Sequence, residues 1–204
     1  MEHPASALTA AVVFALALPA AHAATTFTAN LTGAQEVPVT GLPGASGTAT
    51  FVLNDAQNAL AFHATVNGID FTGNQTPGNT ADNLVNAHIH APGAPGVAAP
   101  VVWGFIGTPF NDTNPTDVVV SPFANGVGGI VSATWNAAEG NNTTLAAQLP
   151  SILAGNAYIN FHTTGFPGGA VRGQIVVAAI PEPFTLALMG AGLLVTGGAA
   201  RRRR

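Results

Sequence analysis

Between residues 25 and 177 apolar side chains return at every second position, in short runs separated by residues that favour turns. A period of two puts alternate side chains on opposite faces of an extended chain, so the pattern calls for strands with one buried face. Residues 59–66 are the clearest case: Leu60, Phe62, Ala64 and Val66 share one face, and Ala61, His63 and Thr65 share the other. Residues 27–31, 48–53, 84–90, 101–106, 130–135, 158–163 and 171–177 repeat the theme. Asn67-Gly68 is turn chemistry, and the Asn/Thr/Gly/Pro stretches 72–82 and 108–125 read as long surface loops. No segment shows a convincing helical period; residues 145–153 come nearest, as a short turn that Pro150 should break. About eight strands at hairpin spacing predict an all-β fold, an antiparallel Greek-key β-sandwich or barrel.

Scarce charge with many Gly, Asn and Thr would by itself suit a disordered chain, but 48% of the residues are apolar and they alternate, which favours a packed domain. Charge is also unevenly placed. Lysine is absent, and four of the five basic residues are Arg201, Arg202, Arg203 and Arg204. Within 24–178 the acids Glu36, Asp55, Asp70, Asp82, Asp112, Asp117 and Glu139 face Arg172 alone, a net charge of about −6. Binding nucleic acid requires Lys and Arg to neutralise phosphates, so that class of partner is excluded. There is no cysteine, which removes disulfides, thiol nucleophiles and thiolate metal sites.

The two ends have compositions of their own. Residues 7–18 form an apolar run of signal-peptide length, closed by Pro19, and Ala21-His22-Ala23 offers the small-x-small pattern that signal peptidase cuts. Residues 1–23 are therefore expected to be a signal peptide, cleaved after Ala23. At the other end Pro181-Glu182-Pro183 precedes an uncharged stretch, 184–200, just long enough for a helix to span a bilayer core, and the four arginines follow at once. By the positive-inside rule those arginines hold that end in the cytoplasm and leave the main domain outside. The order of the three parts, within 179–204, resembles the PEP-CTERM sorting signal of Gram-negative bacteria. That resemblance implies recognition by an exosortase, a place at the cell surface or in an exopolysaccharide matrix, and anchoring in the membrane through the helix before processing.

The middle carries a second resemblance. Its elements are Ala29-Asn-Leu-Thr-Gly-Ala-Gln-Glu-Val-Pro38, Ala87-His-Ile-His-Ala-Pro-Gly93, Leu153-Ala-Gly-Asn-Ala-Tyr-Ile-Asn-Phe-His-Thr163 and Val171-Arg-Gly-Gln-Ile175. In this order they resemble the CHRD domain, named from chordin and common in bacterial surface proteins, over residues 24–178. Ala170 stands where that family more often has an acidic residue. The family has no well-defined general activity, so the resemblance implies a module and no reaction.

Candidate chemistry rests on histidine. His88 and His90 lie two apart, so one strand offers both imidazoles on the same face. On a later strand Tyr158, Asn160 and His162 share a face. If the two strands are neighbours, three histidines can converge on a metal, with His63 or Glu36 as a fourth ligand; imidazoles without thiolates favour copper or zinc. The alternative is a polar cluster in which these histidines, Glu36, His63 and Arg172 hydrogen-bond loops to the sheet. No nucleophile elbow or phosphate-binding loop is present, and the seven scattered acids give no reason to single out a pair for glycoside chemistry. The leading expectation is a non-catalytic binding or adhesion module at the cell surface that contacts exopolysaccharide through its Asn/Thr loops, with Trp103 and Trp135 available, although side chains of that size more often belong to the core. A copper- or zinc-binding protein of the periplasm or surface is the alternative.

Overall fold

A computed structural model describes residues 24–179. The expected signal peptide with Ala21 and Ala23, the Pro181-Glu182-Pro183 motif, the 184–200 helix and Arg201 to Arg204 lie outside the described residues. Among the described residues no helix is long and apolar enough to cross a membrane.

Among the described residues nine strands form: β1 (Thr25–Thr32), β2 (Ser46–Leu53), β3 (Ala59–Asn67), β4 (Leu84–His90), β5 (Val101–Ile106), β6 (Val119–Pro122), β7 (Gly128–Asn136), β8 (Ala157–Thr163) and β9 (Val171–Val177). They make one antiparallel sheet in the order β5-β4-β8-β9-β1-β2-β3-β7-β6. Sandwich and barrel, the two expected architectures, meet in an intermediate form. The sheet stays continuous and curls into a half-barrel, so strands far apart in the order touch face to face. Trp103 on β5 stacks on Trp135 of β7 with ring centroids 5.7 Å apart, and Phe105 of β5 meets Phe62 of β3 at 4.8 Å. Phe27, Phe51, Leu60, Ile89, Ile159, Phe161 and Ile175 fill the hollow between them.

Eight of the strands coincide with the alternating runs. The ninth, β6, falls inside the stretch expected to be loop; it is four residues long and exposed, and Pro122 at its end lacks an N–H to donate. The opposite edge, β5, is covered: the N–H of Asn141 bonds Val102 O at 2.7 Å, and that of Asn111 bonds Gly104 O at 2.8 Å. Unpaired strand groups invite a second chain, and these two bonds occupy them.

Residues 145–153 correct the other expectation. They form a helix, α1 (Leu145–Leu153), that runs through Pro150. Thr144 caps its start by accepting from the N–H of Ala147, and Leu145, Leu149 and Ile152 are buried. Burial of that face offsets the one backbone bond that Pro150 cannot make.

A polar layer with three histidines at its centre

Most strands alternate buried and exposed residues, but every residue of β8 is buried, and so are the last four of β4. Ile89, Ile159 and Phe161 face the half-barrel core. The opposite face is polar and is roofed by connecting loops. Strand register lays that face out as a grid. His90 lies across from Tyr158, which lies across from Gln174; His88 lies across from Asn160, which lies across from Arg172; Asn86 lies across from His162. The result is a second, hydrophilic interior in which Glu36, His88, His90, Tyr158, Asn160, His162 and Arg172 are all at most 7% exposed.

Three loops fix the histidine rings. The Nε2 of His88 lies 3.0 Å from Thr108 O, the Nδ1 of His90 lies 2.9 Å from Ala99 O, and the Nδ1 of His162 lies 3.0 Å from Pro167 O. A backbone carbonyl only accepts, so each of these ring nitrogens carries the hydrogen and the tautomer is set. A neutral imidazole has one N–H. That leaves the inward nitrogens, Nδ1 of His88 and Nε2 of His90 and His162, with bare lone pairs. His88 Nδ1 and His162 Nε2 stand 3.2 Å apart, and His90 Nε2 is buried with no partner. The three ligand atoms lie within 4.8 Å of one another.

A proton does not resolve the conflict cheaply. Burial, reinforced by the neighbouring imidazoles, lowers the His88 pKa to about 4 against the pull of the Thr108 carbonyl. His90 is lowered to about 4 by burial against its bond to Ala99, and burial also lowers His162. At neutral pH the rings are therefore uncharged, and their lone pairs converge on one point. Around them His90 stacks on Tyr158 at 4.7 Å, and the Arg172 guanidinium carbon sits 3.5 Å from the centre of the same ring.

Two glycines make room for this layer. A Cβ on Gly104, opposite His88, would lie 1.8 Å from Pro109 O and 3.0 Å from the His88 ring. Gly169 has φ +138°, and a Cβ there would lie 2.2 Å from Glu36 Oε2. Burial raises Glu36 to about 7, against the opposing effects of Asn160 and Arg172. Beside it opens a cleft of about 380 Å³ whose walls include Gln35, Glu36, Pro95, Arg172 and Gln174.

Of the residues singled out by sequence, His88, His90, His162, Glu36 and Arg172 come together in this layer. His63 does not: it is exposed on β3, with Nδ1 2.9 Å from Ser132 Oγ on β7. Trp103 and Trp135 are both fully buried in the half-barrel core, so neither offers a face to a sugar. Asn160 and Tyr158 turn out to belong to the site; the alternation of β8 placed them on the right face, and only the cross-strand register shows what they meet.

The other buried acids serve loops. Asp70 accepts from the backbone N–H groups of Thr72, Gly73 and Thr76, which outweigh its burial and lower it to about 2. Asp112 is different: burial, with Glu139 and Asp117 nearby, outweighs the N–H of Asn114 and raises it to about 6, and its Oδ2 has no partner. A carboxyl raised in the fold from its ordinary 3.8 contributes stability that is fully present below pH 3.8 and lost as pH rises through 6. Asp112→Asn, which is never charged, should therefore stabilise the protein by about 2 kcal/mol at pH 8 and add nothing near pH 3.5. Urea denaturation at the two pH values checks this, and an equal effect at both would contradict it.

The outer face of the half-barrel thus holds a buried trio of imidazoles, each with one unprotonated nitrogen turned away from its carbonyl partner. The CHRD domain model matches residues 27–175, and the chain belongs to that family. No curated protein and no solved structure matches it.

Proposed function

We propose that this is an exported, non-catalytic protein of a Gram-negative cell envelope whose CHRD domain holds one copper or zinc ion between His88, His90 and His162. One observation carries the reading: three buried imidazoles spend their only N–H on backbone carbonyls and turn three unprotonated nitrogens toward one another. Metal-bound histidines ordinarily donate their second nitrogen in this way, which orients the ring and raises its basicity. Metal–nitrogen bonds of about 2.0 Å place ligand nitrogens roughly 3.3 Å apart in a tetrahedral site. The 3.2 Å pair already meets that spacing, and the third ring needs a small movement.

The address is read from the sequence ends: the leader 1–23 and the Pro181-Glu182-Pro183 tail would pass the chain to signal peptidase and an exosortase. A matrix role through exopolysaccharide contact would fall to the Asn/Thr loops, since both tryptophans lie in the core.

Purified metal-stripped protein should take up about one equivalent of zinc or copper by calorimetric titration, and His88→Ala combined with His162→Ala should abolish the uptake. Equal binding by the double variant, or none by the wild type, would overturn the metal reading.

A further inference from the structure

Asn160 pairs across the sheet with His88 and hydrogen-bonds Glu36. Its Nδ2 donates to Glu36 Oε2 at 3.3 Å, and its Oδ1 is buried with no donor in reach. That bond occupies the NH₂ end of the amide and leaves its oxygen, an acceptor, without a partner. Arg172, across from Asn160 on β9, gives its NH1 and NH2 hydrogen bonds to Val97 O, Ala94 O and Gln174 Oε1 instead. On its own strand Asn160 is next but one to His162, and on β4 it lies directly across from His88. Residues so placed have Cβ atoms about 5 Å apart. A desolvated acceptor without a donor is costly, and the histidine N–H groups beside this one are already spent on loop carbonyls.

We infer that Asn160 Oδ1 is the fourth ligand of the metal and that Glu36 is the positioning residue that sets the amide's orientation. This rests on the metal reading above and sharpens it. Three imidazoles and an amide oxygen form a closed four-ligand set, the pattern of ions that are held and not of ions that keep a position open for substrate. A hard oxygen donor also selects a divalent ion, zinc or copper(II), over copper(I).

Cobalt(II) substitution of the full chain is the direct test, because the strength of its visible absorption reports coordination number. Wild-type protein should show the strong bands of four-coordinate cobalt. Asn160→Ala should weaken them and lower zinc affinity at least tenfold, and Glu36→Ala should move both in the same direction with a loss on the order of tenfold. The paired exchange Glu36→Gln with Asn160→Asp keeps the hydrogen bond with its donor reversed and presents an anionic oxygen, so it should bind zinc more tightly than wild type. That variant also decides the matter if Asn160→Ala fails to fold. Asn160→Ala with unchanged zinc affinity and cobalt spectrum would overturn the fourth ligand while leaving the three-histidine site standing, and so would a paired exchange that binds no tighter. A wild-type chain that takes up neither zinc nor cobalt would overturn both.

Discussion

Zinc held at about a thousandfold excess over its dissociation constant should stabilise the protein by about 4 kcal/mol. For a domain of this size that is a rise in melting midpoint on the order of 10 °C. The size of the effect follows from where the ligands are. His88 and His90 sit on β4 and His162 on β8, and their rings are tied to Ala99, Thr108 and Pro167 in three separate connections. An unfolded chain cannot gather these groups, so nearly all of the binding energy favours the native state. Without metal the same nitrogens are a liability, because buried lone pairs 3.2 Å apart repel. Scanning calorimetry with zinc and then with a chelator should show the gain and its reversal. His88→Ala with His162→Ala should melt at one temperature in both conditions; an equal rise in that variant would assign the stabilisation to another site.

Trp135→Ala should cost about 3–5 kcal/mol, the range for emptying a large aromatic site in a packed core. Trp135 is fully buried and lies parallel to Trp103 within 4°, and its indole N–H donates to Glu139 O at 2.8 Å. Trp103 belongs to one edge strand, and Trp135 to the strand next to the other edge. Their stack closes a sheet whose edges never hydrogen-bond to each other, so truncation opens a seam as well as a cavity. Trp135→Phe keeps a ring in place and should cost markedly less. Guanidinium denaturation of both variants checks this; a loss under about 1 kcal/mol for the alanine variant would mean the half-barrel does not depend on the stack.

Strands were legible because one buried face imposes a period of two, and β4, β5 and β9 begin and end where the alternation does. β6 was not, since an exposed four-residue edge strand buries nothing and leaves no pattern. Helix α1 was obscured by Pro150, whose local cost is outweighed by tertiary burial of Leu145, Leu149 and Ile152. For the site, the spacing of His88 and His90 and the alternation around His162 gave the shared face correctly. Alternation cannot separate a polar face in water from a polar face under a roof. The connections carrying Ala99, Thr108 and Pro167 lie over this one, and nothing in their composition announces it. The tautomers were equally hidden, because they are set by backbone carbonyls that any residue can supply. His63 shared the alternation but lies several strands away in the sheet order.

The sheet order also has a consequence in time. β9 is the last strand among the described residues, yet it lies in the middle of the sheet, pairing with β8 on one side and β1 on the other. Before it docks, β5-β4-β8 and β1-β2-β3-β7-β6 are two ladders with no strand between them. His88 must likewise wait for a partner 74 residues further on. Such long-range pairings form late, since the chain loses its loop-closure entropy before any contact compensates. A chain crossing a membrane from its N-terminus would thus have nearly all of the domain across before the three imidazoles could meet, and capture of an ion would mark the completed fold.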